Sequence, residues 1–209
     1  MTKKSSIADG DPIKPVKPAK RKMRPGGGKS KGNGYESQIA KKLSVALAPL
    51  NFMRSPGSGA RLGGKNFEKF GEMFGEDAMK LFVADVVPIN ERKEGLIFHH
   101  SIECKSYKTP DGFTALAAGT ANIFAWFEES VVDAAKTGKN PLLIVKWNNT
   151  PSFVIADSQH EKYPTGQGGS SPCCVIISHN TKAESRPLRI YYLDELLTVP
   201  SFWFSKSVL

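Results

Sequence analysis

Three residues carry the chemistry most worth weighing in this chain: Asp85, Glu103 and Lys105. Asp85 interrupts an otherwise apolar run, Leu81-Phe82-Val83-Ala84-Asp85-Val86-Val87. A carboxylate in such a place is costly unless a cation or hydrogen bonds compensate it. Glu103 and Lys105 belong to a second stretch, and strand alternation puts them on one face with Ile102 and Cys104 on the other. Pairing the two stretches would bring Asp85 beside Glu103. Two adjacent carboxylates repel each other, yet they make a sensible pair around a hard divalent cation. On the residues alone, a structural ion pair explains the same pattern equally well. A bare Glu-x-Lys decides nothing, because a chain this long holds on the order of one by chance. Glu91-Arg92-Lys93 is such a decoy, in a polar turn where a solvated loop is the expectation.

Other candidates are weaker. Glu36 stands early in a helical stripe, where a carboxylate is also favoured by the helix dipole. Arg54 and Ser58 belong to Arg54-Ser55-Pro56-Gly57-Ser58-Gly59-Ala60, which would touch phosphate or serve as a plain turn-rich loop. His160, Cys173, Cys174 and His179 lack zinc-ligand spacing, and the adjacent cysteines point to opposite faces of a strand. His99 and His100 read as ordinary strand histidines.

These side chains need a scaffold. Ile39, Leu43, Leu47 and Leu50 mark a helix over 35–50, with Lys41 and Lys42 outside the stripe. A buried strand over 81–87 and a second over 96–105 form an antiparallel hairpin across the turn 90–95. A long helix spans 113–136 and stops near Gly138. Strands follow at 141–147, 152–156 and 173–178, then a short helix over 191–197. Residues 61–80 show no clear period and read as an irregular insertion. The order indicates an α/β sandwich of mixed strand direction.

The chain has 209 residues and a net charge of +9. Residues 1–31 hold ten Lys/Arg against Asp9 and Asp11, a net of +8, which leaves +1 for the rest. That Lys/Pro/Gly-rich tail, 1–33, lacks apolar periodicity and is expected to be disordered. Its Lys20, Arg21, Lys22 and Arg24 would attract a polyanion such as DNA, or merely solubilise the chain. Residues 34–209 form the folded domain. No apolar run approaches the roughly 20 residues of a membrane span, and three cysteines make no disulfide framework. A soluble, cytoplasmic protein is the expectation, in the host cytoplasm if phage-encoded.

Taken in order, Glu36, Arg54-Ser55-Pro56-Gly57-Ser58-Gly59, Asp85 and Ile102-Glu103-Cys104-Lys105 resemble the PD-(D/E)xK nuclease superfamily. The likeness extends over 32–157 and is nearest to Holliday-junction-resolvase types and phage endonucleases. It implies an α/β, restriction-endonuclease-like mixed β-sheet flanked by α-helices, and metal-dependent hydrolysis of DNA. By the resemblance, Asp85, Glu103 and the backbone carbonyl of Cys104 would hold Mg²⁺, with Mn²⁺ as a substitute. Lys105 would orient or help deprotonate the attacking water, and Glu36 would support a second ion or bind through water. The substrate would be branched DNA and the enzyme a homodimer, since paired cuts need two related sites. Departures are Ala84, where the superfamily name has proline, the long 61–80 insertion, and Glu129, where related sequences often carry glutamine. A restriction-like or repair nuclease and a non-catalytic DNA-binding protein are the competing readings.

Overall fold

The computed structural model describes residues 27–55, 83–158, 172, 174–180, 185–199 and 203–207. Helix α1 (Gly27–Ala46) leads into strand β1 (Phe52–Arg54). After 56–82, strand β2 (Val86–Pro88), the single-turn helix α2 (Glu91–Glu94), and strands β3 (Leu96–Phe98) and β4 (His100–Tyr107) follow. Helices α3 (Phe113–Ala117) and α4 (Asn122–Ala135) precede β5 (Asn140–Trp147) and β6 (Ser152–Asp157). The chain continues with β7 (Cys174–Asn180), β8 (Ser185–Tyr192), helix α5 (Leu193–Leu196) and β9 (Ser205–Ser207).

Among the described residues, seven strands form one sheet in the order β1-β2-β4-β5-β6-β8-β7, and β3 pairs with β9 in a second. Only the β4–β5 pair is parallel, joined by the α3–α4 crossover; every other pair is antiparallel. The sheet is therefore mixed, and helices flank it, as expected. Strand alternation divides the core. Ile102, Cys104, Leu142 and Ile144 pack with Ile39 and Leu43 of α1, while Leu143, Val145 and Ile155 pack with Phe124 and Phe127 of α4. Glu103 and Lys105 lie opposite Leu143 and Val145 in the β4–β5 register, which places them on the α4 side.

Several expectations need correction. Helix α1 starts at Gly27, ahead of the expected Tyr35, so Glu36 sits well inside the helix rather than in its first turn. Of the strand expected over 81–87, Leu81 and Phe82 lie outside the described residues, and strand pairing begins at Val86, in Val86–Pro88; Asp85 lies at a bend just before it. The second strand is broken at His99 into β3 and β4, because Leu96–Phe98 pairs with Ser205–Ser207. The 113–136 helix is two helices. Gly119, at φ 71°, takes the left-handed conformation that ends α3. Asp111 then caps α4, accepting from the Asn122 N–H at 2.8 Å. Gly138, at φ 64°, follows α4 as expected. Strand β8 and the short β1 and β9 had no sequence signal that separated them from loop. Among the described residues, no helix is long and apolar enough to cross a membrane.

Candidate active site

Asp85 is anchored by its backbone before its side chain acts. Its N–H donates to the Ile102 carbonyl at 2.9 Å, and its carbonyl accepts from the Ser55 N–H at 2.8 Å. The carboxylate then continues the strand pairing, with Oδ2 accepting the Cys104 N–H at 2.9 Å. The N–H and C=O of one extended residue project to the same edge of a strand. The Cys104 carbonyl therefore projects toward the edge where Asp85 lies, while the Cys104 thiol enters the α1-side core. Asp85 is buried, at 7% exposure.

Glu103 stands on the same strand with its side chain toward α4. Lys105 Nζ lies 3.0 Å from Glu103 Oε1 and 3.2 Å from Glu129 Oε2. Glu129 comes from α4, which is fixed over this part of β4 by the stacking of Trp126 on Tyr107 at 4.4 Å. Burial, and then the neighbouring Asp85 carboxylate, push Glu103 up to about 8 against the pull of Lys105. Burial lowers the Lys105 pKa, but the carboxylates of Glu103 and Glu129 outweigh it and hold the ammonium above its ordinary value. Without a cation, burial and the neighbouring carboxylate thus both oppose loss of the Glu103 proton. The Cys104 thiol is also raised, by burial first and then by Asp85, Glu103 and Glu36, so three carboxylates act on this one position.

The donor set fits a hard divalent ion. Asp85 and Glu103 ionise together only at a cost, which such a cation would relieve, and the Cys104 carbonyl is aimed at the same edge. Among the described residues, no group of three or more His, Cys, Asp or Glu side chains is arranged to hold a metal. Glu36 does not join Asp85 and Glu103 in such a group. It is buried and pairs with Arg54, whose Nε lies 2.5 Å from Glu36 Oε2 and whose Nη2 donates to Asn33 Oδ1 at 2.9 Å. Arg54 is thereby held against α1 rather than extended into solvent. Ser58, Lys20, Arg21, Lys22 and Arg24 lie outside the described residues.

Glu129 is the residue that sequence reasoning left aside. Its place opposite a glutamine in related sequences was the available signal, and the structure puts it on Lys105. The zinc reading gains nothing: His160 and Cys173 lie outside the described residues, and His179 stacks on Phe124 at 4.6 Å beside Glu128. His100 is buried and stacked on Trp203 at 4.9 Å, a core histidine.

The raised Glu103 has a consequence for stability. An unfolded chain releases this proton near 4.5, the folded one near 8. Between those values the folded state binds more protons, so stability falls as pH rises, by on the order of a few kcal/mol across the window. In metal-free protein, Tm is expected to fall from pH 5 to pH 8 more steeply for wild type than for Glu103→Gln, which cannot titrate. Parallel Tm curves would contradict the burial of Glu103 against Asp85.

No curated protein and no solved structure matches the chain. One family profile does match, over residues 27–193, from α1 to the first residue of α5, and so takes in Asp85, Glu103 and Lys105. The described site stands wholly within that span, and the chain belongs to the family described as phage putative PDDEXK endonuclease.

Proposed function

We propose that the chain is a divalent-metal-dependent endodeoxyribonuclease acting on branched DNA, a Holliday junction resolvase working as a homodimer. The observation that carries the nuclease reading is the pairing of a buried Asp85 with a half-buried Glu103, close enough for the first to raise the second, with Lys105 3.0 Å from Glu103. Pure binding of a polyanion has no need of clustered carboxylates. Asp85, Glu103 and the Cys104 carbonyl would hold Mg²⁺, with Mn²⁺ as a substitute. When bound, the ion supplies Lewis acidity toward the phosphate and a more acidic coordinated water. Lys105, held by Glu103 and Glu129, would orient or help deprotonate the attacking water and offset negative charge developing on the phosphate. Glu129 and Glu103 hold that ammonium from two sides and fix its direction. Glu36, paired with Arg54 and near enough to raise the Cys104 thiol, would support a second ion or bind through water.

The branched substrate and the dimer extend the resemblance of the motif order to resolvases. Labelled four-way junction, flap and linear duplex incubated with Mg²⁺ or EDTA test this. Paired symmetric cuts in the junction, lost in EDTA, are expected. Preferred cutting of flap or duplex would make the enzyme a repair or restriction-like nuclease, and binding without cutting would remove the enzyme reading.

The basic N-terminal residues are proposed to lie along the DNA backbone. Helix α1 begins at Gly27, so removal of 1–26 leaves every described element in place. The truncated protein is expected to bind junction and duplex more weakly alike, because phosphate contacts position without specifying sequence. For each phosphate that the shortened chain leaves unneutralised, the steepness of log K against log[salt] should fall by about 0.9. Single-turnover cleavage at saturating protein should survive. An unchanged salt slope would reduce the segment to a solubilising arm.

A further inference from the structure

Near the carboxylate pair, where the chain enters β2 and β4, lies a cleft of about 620 Å³. Its lining includes Ala84, the residue before Asp85, and Ser101, two residues before Glu103 on the same face of β4. Two residues of strand span about 7 Å, so cleft and carboxylates are neighbours. The other walls come from α2, which supplies Arg92, and from the segment after α4, which supplies Lys139.

The charge of the cleft is opposite to that of the carboxylates next to it. Among the described residues that line it, Arg92, Lys93 and Lys139 stand with Glu91. Lys139 Nζ lies 3.4 and 3.5 Å from the Glu91 oxygens, beyond the 2.7–2.9 Å of a tight charge-assisted bond, and 5.8 Å from the centre of the Phe98 ring. Glu91 Oε1 also accepts the Phe98 N–H at 2.5 Å, which commits that oxygen to fixing α2 on β3. Beside the charged and polar groups, part of the lining is apolar, formed by Val87, Pro88 and Ile89, the last 56% exposed. Cations spaced along an apolar wall match a sugar–phosphate strand, with phosphates on the charges and deoxyribose against the aliphatic surface.

We infer that this cleft seats the DNA strand on one side of the scissile phosphate, with Arg92 and Lys139 contacting its backbone. The inference rests on the nuclease reading above and adds where the strand runs. It also accounts for how a polyanion approaches two carboxylates, since the neighbouring cations offset the repulsion that a phosphate meets at Asp85 and Glu103. Lys93 reaches outward from the rim with its side chain 84% exposed, where solvent and salt screen it.

The test combines Arg92→Ala and Lys139→Ala, singly and together, with DNA in which single phosphates flanking the cut are neutralised as methylphosphonates. Lys42→Ala is the distant control, on α1 and paired with Asp194 at 2.6 Å. Wild type should lose cleavage at subsaturating protein about 10-fold or more when one or two phosphates on one flank are neutralised, and little on the other flank. The double variant should bind intact DNA more weakly, with the salt slope reduced by about 1.8 for two phosphates. It should also be indifferent to the same neutralised phosphates, as a coupled pair requires. Circular dichroism and Tm matching the parent confirm that the variants fold; if a single alanine unfolds the chain, Lys139→Gln and Arg92→Gln replace it. Wild-type cleavage with equal sensitivity to every flanking phosphate in parent and double variant would overturn the cleft assignment and leave the nuclease reading standing. Failure of wild type to cut any DNA would instead overturn the nuclease reading itself.

Discussion

Asp85→Asn and Glu103→Gln are expected to bind DNA at least as tightly as wild type and to leave it uncut. Both changes are nearly isosteric, and the Asp85 backbone remains held by Ile102 and Ser55. Asp85→Asn removes a negative charge from the place where a phosphate must arrive, and Glu103→Gln removes one that Glu103 carries only once it gives up its raised proton. A unit charge 4 Å away is worth about 1 kcal/mol in water and about 4 kcal/mol near a protein surface, so relief of that repulsion tightens binding. Cleavage is lost because the remaining carboxylate and the Cys104 carbonyl no longer present enough anionic oxygen to a hard cation. A drop of at least about 10³-fold in single-turnover rate is the expected scale, since the main source of transition-state charge stabilisation goes with the ion. Filter binding or fluorescence anisotropy beside gel-based cleavage separates the two effects. Either variant cutting at near wild-type rate would sink the assignment.

Lys105→Ala should lower the cleavage rate by at least about 10²-fold, the usual scale for a positioned catalytic group. The ammonium is fixed by Glu103 and Glu129 at 3.0 and 3.2 Å, so its removal also leaves those carboxylates facing each other without a cation. Lys93→Ala is the matched comparison. Lys93 belongs to the other Glu-x-Lys, 84% exposed, with its own neighbour Glu94 4.0 Å away. Its removal should change the rate less than about 2-fold, as for surface charges generally. Equal defects, or a harmless Lys105→Ala, would show that the wrong motif carries the chemistry.

What made the site legible was local. Alternation along Ile102-Glu103-Cys104-Lys105 fixes which side chains share a face, and no tertiary information is needed for that. The antiparallel approach of Asp85 to this strand was legible too, since an acid in an apolar run demands a partner. Its form was not: a bend and a carboxylate-to-amide bond replace the continuous ladder expected over 81–87, because only Val86 is in register with β4. Glu36 was misplaced for a different reason. The glycine-rich start of α1 has no apolar stripe to reveal that the helix begins at Gly27. Strand β8 was hidden because Arg186, Pro187 and Arg189 break any apolar alternation; Pro187 is tolerated because pairing with β6 stops at Leu188. Glu129 needed the crossover itself, since only the packing of α4 across β4 brings it to Lys105.

A divalent ion held between Asp85 and Glu103 is the centre of the proposed chemistry, and cutting should require it. The most direct measurement is calorimetric titration of Mn²⁺ into wild type and Asp85→Asn at pH 7, in two buffers of different ionisation enthalpy, with cleavage assayed over the same ion concentrations. Wild type should bind the ion with release of about one proton, because Glu103 must ionise to coordinate it, and cleavage should rise over the same range. Asp85→Asn should bind it far more weakly and not cut. Cleavage that persists in EDTA, or unchanged Mn²⁺ uptake and cleavage by Asp85→Asn, would contradict a metal-dependent site at these residues.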